Sequence, residues 1–173
     1  SRTWDVRVRS GIQWHDGVQF SAEDVKFTFE YYRDGPVNRW THHTSKVPRI
    51  RDAFIVDSST VRIVCADPCP AFDRVTAADL PIIPRHVWRQ VKAPRTFTDP
   101  PIGTGPFVWV QHVPDQFYRF RANRNYFKGA PVIDELILMI VKDPSTTFLA
   151  LKTGEVAAAA RSLPPELIKP FQK

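Results

Sequence analysis

Sixteen prolines in 173 residues, against only seven glycines, constrain this chain more than any other feature. That is roughly twice the usual proline share. Inside a helix each proline removes a donor and clashes with the preceding turn, so long uninterrupted helices are excluded from most of the sequence. Pro68, Pro70, Pro81, Pro84, Pro94, Pro100, Pro101 and Pro106 fall between apolar segments. The pattern predicts a loop-rich α+β fold of short elements. The length suits one domain, or one and a fraction. A hydrophobic fraction of 43% with 24% charged residues argues against disorder and coiled coil. The longest strictly apolar run, Leu136 to Val141, has six residues, against the roughly 20 a helix needs to cross hydrocarbon.

Trp4-Asp5-Val6-Arg7-Val8-Arg9 alternates apolar and polar side chains and predicts an opening strand. Ser21-Ala22-Glu23-Asp24 reads as a capping box, in which the Ser21 hydroxyl accepts from the third helical amide while the Asp24 carboxylate reaches back. A helix over 21–34 follows, with Val25, Phe29 and Tyr32 on one stripe, Phe20 stapling the first turn, and Gly35-Pro36 ending it. Residues 53–56 and 60–64 flank Asp57-Ser58-Ser59 as a hairpin. Short helices are expected over Pro70–Ala78 and Pro84–Val91, each with proline near its first turn. A second hairpin joins 107–110 to 117–121 around Pro114-Asp115, and Leu136–Val141 has the composition of a strand buried on both faces. Asp143-Pro144-Ser145 caps a last helix through Lys152, stopped by Gly154. The turn Gly103-Thr104-Gly105-Pro106 separates two differently textured halves, which places a subdomain boundary near residue 100.

The net charge of +6 raises nucleic acid or an acidic membrane surface as partners. Arg2, Arg7, Arg9, Arg49, Arg51, Arg62, Arg119, Arg121 and Arg124 sit largely at alternating strand positions, the pattern of a solvated sheet face. No zinc-finger spacing or glycine-aromatic strand signature supports nucleic-acid binding. Cys65 and Cys69 are too few for a disulfide-dense scaffold or a four-ligand zinc site. A local disulfide is geometrically allowed, but two small buried residues are the expected state. The opening Ser1-Arg2-Thr3-Trp4 has neither an initiator methionine nor an apolar leader, as expected of a segment cut from something longer.

Three constellations invite functional readings. Gly103-Thr104-Gly105 has no Lys-Ser/Thr partner for a phosphate cradle and reads as a turn. His15-Asp16-Gly17 could orient an imidazole for acid-base work, but suits a strand-turn-helix corner with positive φ at Gly17. Arg39, Trp40, His42 and His43 follow an aromatic helix end, Tyr31-Tyr32. Such a loop is either a small-molecule contact surface or a surface loop without a role. The sequence contains no local Ser-His-Asp or Cys-His signature, and no enzyme activity is expected.

Several blocks converge on a family. Thr3 through Gly17, Phe20-Ser21-Ala22-Glu23-Asp24-Val25 through Glu30, Asp57 to Val64, Pro68-Cys69-Pro70-Ala71-Phe72, Ile83-Pro84-Arg85-His86-Val87-Trp88, Pro101 to Phe107, Arg124-Asn125-Tyr126-Phe127-Lys128-Gly129-Ala130-Pro131, and Asp143-Pro144 through Glu155 stand in one order. In that order they resemble the family 5 extracellular solute-binding proteins, the dipeptide-, oligopeptide- and nickel-binding components of ABC importers. The resemblance implies a fragment of a class II-type periplasmic binding protein. Residues 1–100 would be a small mixed α/β accessory subdomain of the N-terminal lobe, and 101–173 part of the large-lobe sheet. It further implies capture of a small-molecule or peptide solute between two lobes, delivery to an ABC permease, and a periplasmic or extracellular location, with a membrane tether in the full-length protein. No cofactor, metal or nucleic acid is implied, and self-association of such a fragment would be without biological meaning. Carried to matching positions, the family's ligand loop nominates Arg39 and Trp40, with Tyr31, Tyr32 and His42 as further contacts. The alternative is a basic nucleic-acid-binding module. Two departures from the family pattern are the run Val156-Ala157-Ala158-Ala159-Ala160, where relatives carry an acidic strand, and Cys69 at a usually polar position.

Overall fold

Strand β1 (Thr3–Arg7) pairs antiparallel with β3 (Thr60–Cys65), which pairs on its other side with β2 (Ile50–Asp57), so the hairpin strand β3 is central. The computed structural model describes residues 1–34, 50–74, 76–160 and 166. Period-2 alternation settles which face of this sheet is covered. Val61, Ile63 and Cys65 are buried together with Ala53, and Trp4 and Val6 pack against them. Arg62 faces outward directly opposite Asp5 and binds it through two bonds of 2.7 and 2.8 Å. The strand arginine is thus solvated and paired, as the alternation suggests.

Helix α1 (Ala22–Asp34) lays Ala22, Val25 and Phe29 on the covered face, and Tyr32 and Phe20 pack at its margins. Burial of side chains the size of Val25 and Phe29 contributes about 1.5–3 kcal/mol each. Phe72 completes this core, its ring 5.7 Å from Trp4 and 5.8 Å from Phe29. The capping box forms in part. Asp24 accepts from the Ser21 amide at 2.9 Å, but the Ser21 hydroxyl turns to the same carboxylate, and the Asp24 amide bonds the Ser21 carbonyl instead. The other Asp24 oxygen accepts from the Arg85 amide at 2.9 Å, at the start of α3 (Arg85–Trp88). Thr28 adds a second tie, its hydroxyl accepting from the Ile83 amide at 3.0 Å.

Three expectations need correction. The stretch from Pro70 forms turns and only α2 (Thr76–Asp79) is helical, because a proline-punctuated segment anchored by Cys69 and Phe72 cannot extend a regular helix. Cys65 and Cys69 are joined in a disulfide, their Cα atoms 6.5 Å apart. That separation lies within the range a disulfide spans, and spacing and burial by themselves fit a thiol pair equally well. The third correction concerns the second unit.

The chain divides into two compact units, Ser1–Val108 with Asn123–Val132, and Trp109–Ala122 with the described residues from Ile133 onward. The second sheet has the order β4 (Phe107–Val113), β5 (Phe117–Ala122), β6 (Glu135–Met139), the hairpin turn placing Asp115 at φ 59°. Far from being buried on both faces, the β6 side chains Ile137, Leu138 and Met139 are 49, 45 and 50% exposed. An apolar run is buried twice over only where layers cover both faces, and among the described residues β6 pairs with β5 alone. Helix α4 (Pro144–Thr153) starts and stops as the sequence dictates. Asp143 accepts from the Thr146 amide at 2.7 Å, and Gly154 ends the helix in the left-handed region at φ 78°.

Replacing Asp24 tests the first unit. Asp24→Ala leaves the Ser21 and Arg85 amides without their acceptor and should cost about 2–4 kcal/mol in urea unfolding, with Asp24→Asn, which keeps an acceptor, losing less.

Candidate functional site

The corner between β1 and α1 is built from backbone. The Trp14 amide donates to Val18 at 2.8 Å, the Gly17 amide to Trp14 at 2.9 Å, and the Phe20 amide to Ile12 at 2.9 Å. Gly17 adopts φ 88°, which an L side chain would resist. His15 occupies this corner as a clamp. Its amide donates to the Gly103 carbonyl at 2.9 Å, its Nδ1 accepts from the Gly103 amide at 3.3 Å, and its Nε2 lies 3.0 Å from the Gly105 carbonyl. The ring tautomer with its proton on Nε2 satisfies both ring contacts. Both ring nitrogens are therefore committed to the Gly103-Thr104-Gly105 turn. The Asn123 side-chain amide donates to the same Gly105 carbonyl at 3.1 Å.

Asp16 does not orient His15. It turns to His86 Nε2 at 2.6 Å, 70 residues away in sequence, and accepts from the Val18 amide at 3.2 Å. The acid-base arrangement considered from His15-Asp16 is thus two separate structural contacts. Burial alone would push the Asp16 carboxyl up, but the bonds from His86 and Val18 outweigh it and hold it below its ordinary 3.8. Sequence reasoning passed over His86 in this role, because no local signal connects it to Asp16.

Of the nominated ligand residues, Tyr31 and Tyr32 close α1. The Tyr31 ring lies 5.4 Å from Tyr32, 5.8 Å from Phe27 and 5.8 Å edge-on to Trp88, which in turn lies 5.2 Å from Phe97. Trp88 and Phe97 thereby join Tyr31 in an aromatic row. The sequence marked only the aromatic end of α1 at Tyr31-Tyr32; Trp88 and Phe97 join it through the fold. Arg39, Trp40 and His42 lie outside the described residues. Beyond Phe97 an open concavity of about 490 Å³ is lined by His86, Gln90, Lys92, Thr96, Phe97 and Asp99. Among the described residues no group of three or more His, Cys, Asp or Glu side chains could hold a metal.

The model of the bacterial extracellular solute-binding proteins, family 5, matches residues 1–173. The chain belongs to this family. A Brucella ovis protein whose name places it among ABC transporter peptide-binding proteins is 31% identical over 149 residues, 83% of this chain and 28% of its own length. NikZ from Campylobacter jejuni, solved in complex with Ni(L-His), superposes with a TM-score of 0.77 at 30% identity over 89% of this chain and 31% of its own. The Thermotoga maritima periplasmic oligopeptide-binding protein, solved with mannohexaose, gives 0.82 at 22% identity over 99% of this chain and 32% of its own, a likeness of fold. This family 5 chain thus spans about a third of the length of such relatives. The likenesses agree with the α+β, periplasmic-binding-protein fold implied by its motifs. Among the described residues no helix is long and apolar enough to cross a membrane.

Acid should weaken this family 5 chain in a defined window. The Arg62 side chain lowers Asp5, the Ser59 amide lowers Asp57, and the Thr146 amide lowers Asp143, as His86 and Val18 lower Asp16. Folded carboxyls below 3.8 bind protons later than unfolded ones. Their stabilisation is therefore complete above the ordinary carboxylate range and is lost as pH falls through the folded values. Thermal melts should hold steady from pH 7 to about 5 and drop below about 4, with the Asp5→Asn/Asp57→Asn variant showing a shallower acid limb.

Proposed function

We propose that this chain is part of the first lobe of the extracytoplasmic solute-binding component of an ABC importer. In this role the parent captures a peptide-like or other small solute between two lobes and presents it to a membrane permease. The match of the family model to all of residues 1–173 carries the proposal. The commitment of both His15 nitrogens and of Asp16 to structural contacts supports a passive role for this corner. The mechanism is a population shift. Solute contacts both lobes in the closed form and one in the open form, so binding favours closure, and the permease recognises the closed surface. Residues 1–100 form the accessory subdomain of the lobe and 101–173 the beginning of its large sheet.

Solute contacts on this lobe are assigned to Arg39 and Trp40, with Tyr31, Tyr32 and His42 beside them. Tyr31 supports the assignment, since its row with Trp88 and Phe97 gives the end of α1 a rigid aromatic base. A guanidinium would grip a carboxylate, and an indole would cover apolar surface at low entropic cost. The names of the relatives span a peptide, a nickel-histidine complex and a manno-oligosaccharide. Titration calorimetry of the full-length protein with a tripeptide, Ni(II)–L-histidine and mannohexaose identifies the class. For the solute that binds, Trp40→Ala should raise Kd about tenfold or more. An unchanged Kd rejects the loop as the contact surface.

A further inference from the structure

The disulfide stands at a place that the rest of the first unit uses. Cys65, the last residue of central strand β3, donates its amide to the Arg2 carbonyl at 2.8 Å. Cys69 donates its amide to Ser1 at 2.9 Å, and its carbonyl accepts the Trp4 indole at 3.0 Å and the Phe72 amide at 3.2 Å. The bond therefore ties the end of β3 to the segment that carries Phe72 into the core between Trp4 and Phe29. The two cysteines are 1% and 3% exposed, so once the unit has closed no reductant or oxidant reaches the sulfurs without opening it.

From this placement we infer that the Cys65–Cys69 pair is an oxidative maturation site. The chain is a substrate for dithiol–disulfide exchange, and its first unit reaches full stability only after that exchange. The inference rests on the extracytoplasmic role proposed above, because disulfides form and persist in oxidising compartments. The co-reactant is a disulfide, on an oxidoreductase or as oxidised glutathione. One cysteine thiolate attacks an acceptor sulfur, forming a mixed disulfide and expelling one acceptor thiolate. The second cysteine thiolate attacks the chain's sulfur in that mixed disulfide, forming Cys65–Cys69 and expelling the other acceptor thiolate. The chain loses two electrons and two protons, and the acceptor leaves as two thiols. Exchange precedes closure, since the closed unit buries both sulfurs. In a reducing compartment the chain carries two thiols and a looser hold on Phe72, a state suited to a chain not yet exported. Closing so short a loop restricts the unfolded chain modestly, shifting the folded-to-unfolded ratio about 30-fold.

Thiol mapping of the full-length protein tests this without any variant. Protein recovered from the extracytoplasmic space is denatured in excess maleimide, with and without a phosphine reductant, and the Cys65–Cys69 peptide is weighed. The expected result is no alkylation without reductant and double alkylation with it, whereas the same chain retained in the cytoplasm is doubly alkylated from the start. Oxidised wild type should melt several degrees above both the reduced protein and the Cys65→Ala/Cys69→Ala variant, and reductant should leave the variant unchanged. Free thiols in exported protein, or equal melting of oxidised and reduced protein, overturns the inference while leaving the solute-binding role standing. A bridged pair in cytoplasmic protein would instead break the link to compartment. Solute affinity is not read in either measurement, so failure of the solute-binding proposal shows separately.

Discussion

The first unit depends on a buried carboxylate. Asp24, 4% exposed, is the ionisable side chain buried among the described residues, and its oxygens collect the amides of Ser21 and Arg85. Burying a charge costs several kcal/mol unless hydrogen bonds replace its hydration. Here backbone amides at two helix starts supply them, where orphan donors and the positive end of the peptide dipoles favour an anion. These bonds fix the start of α3 beside α1, with the Thr28–Ile83 bond as a second tie. Phe27, Tyr31 and Trp88 in the aromatic row take their positions from those two helices, and Phe97 from the short 3-10 turn Pro94–Thr96.

Around this centre the chain spends its polar side chains on joining segments distant in sequence. His15 reaches Gly103 and Gly105, Asp16 reaches His86, and Thr28 reaches Ile83. In a proline-rich chain with short elements, helix and strand ladders alone leave many backbone groups unpaired, and such contacts satisfy them. The same economy explains why two histidines that could have served chemistry serve architecture.

Much was legible from residue order because the signals were local. Ser21 to Asp24 marked the start of α1, Val25 and Phe29 its buried face, Asp57-Ser58-Ser59 the hairpin, and Asp143 with Gly154 both ends of α4. Gly17 and the Gly103-Thr104-Gly105 turn were readable as backbone geometry rather than as anion sites. The failures share one cause. Leu136 to Val141 carries the composition of a doubly buried strand, yet composition does not say whether layers cover it. Cysteine spacing did not distinguish thiols from a bond. Pro70 to Ala78 had helix-forming residues whose anchors lie elsewhere, in Trp4 and Phe29.

Sequence alone determined the family, the start of α1, both ends of α4 and the inward face of β3, since each is written in spacings of a few residues that fix local backbone geometry and the side exposed to water. Only the tertiary structure decided that Asp16 meets His86, that both nitrogens of His15 are occupied, that Trp88 and Phe97 extend the row from Tyr31, and that Cys65 bonds Cys69. Each of these turns on where a side chain ends up once the chain has closed on itself, a matter of packing and distance that no local pattern encodes.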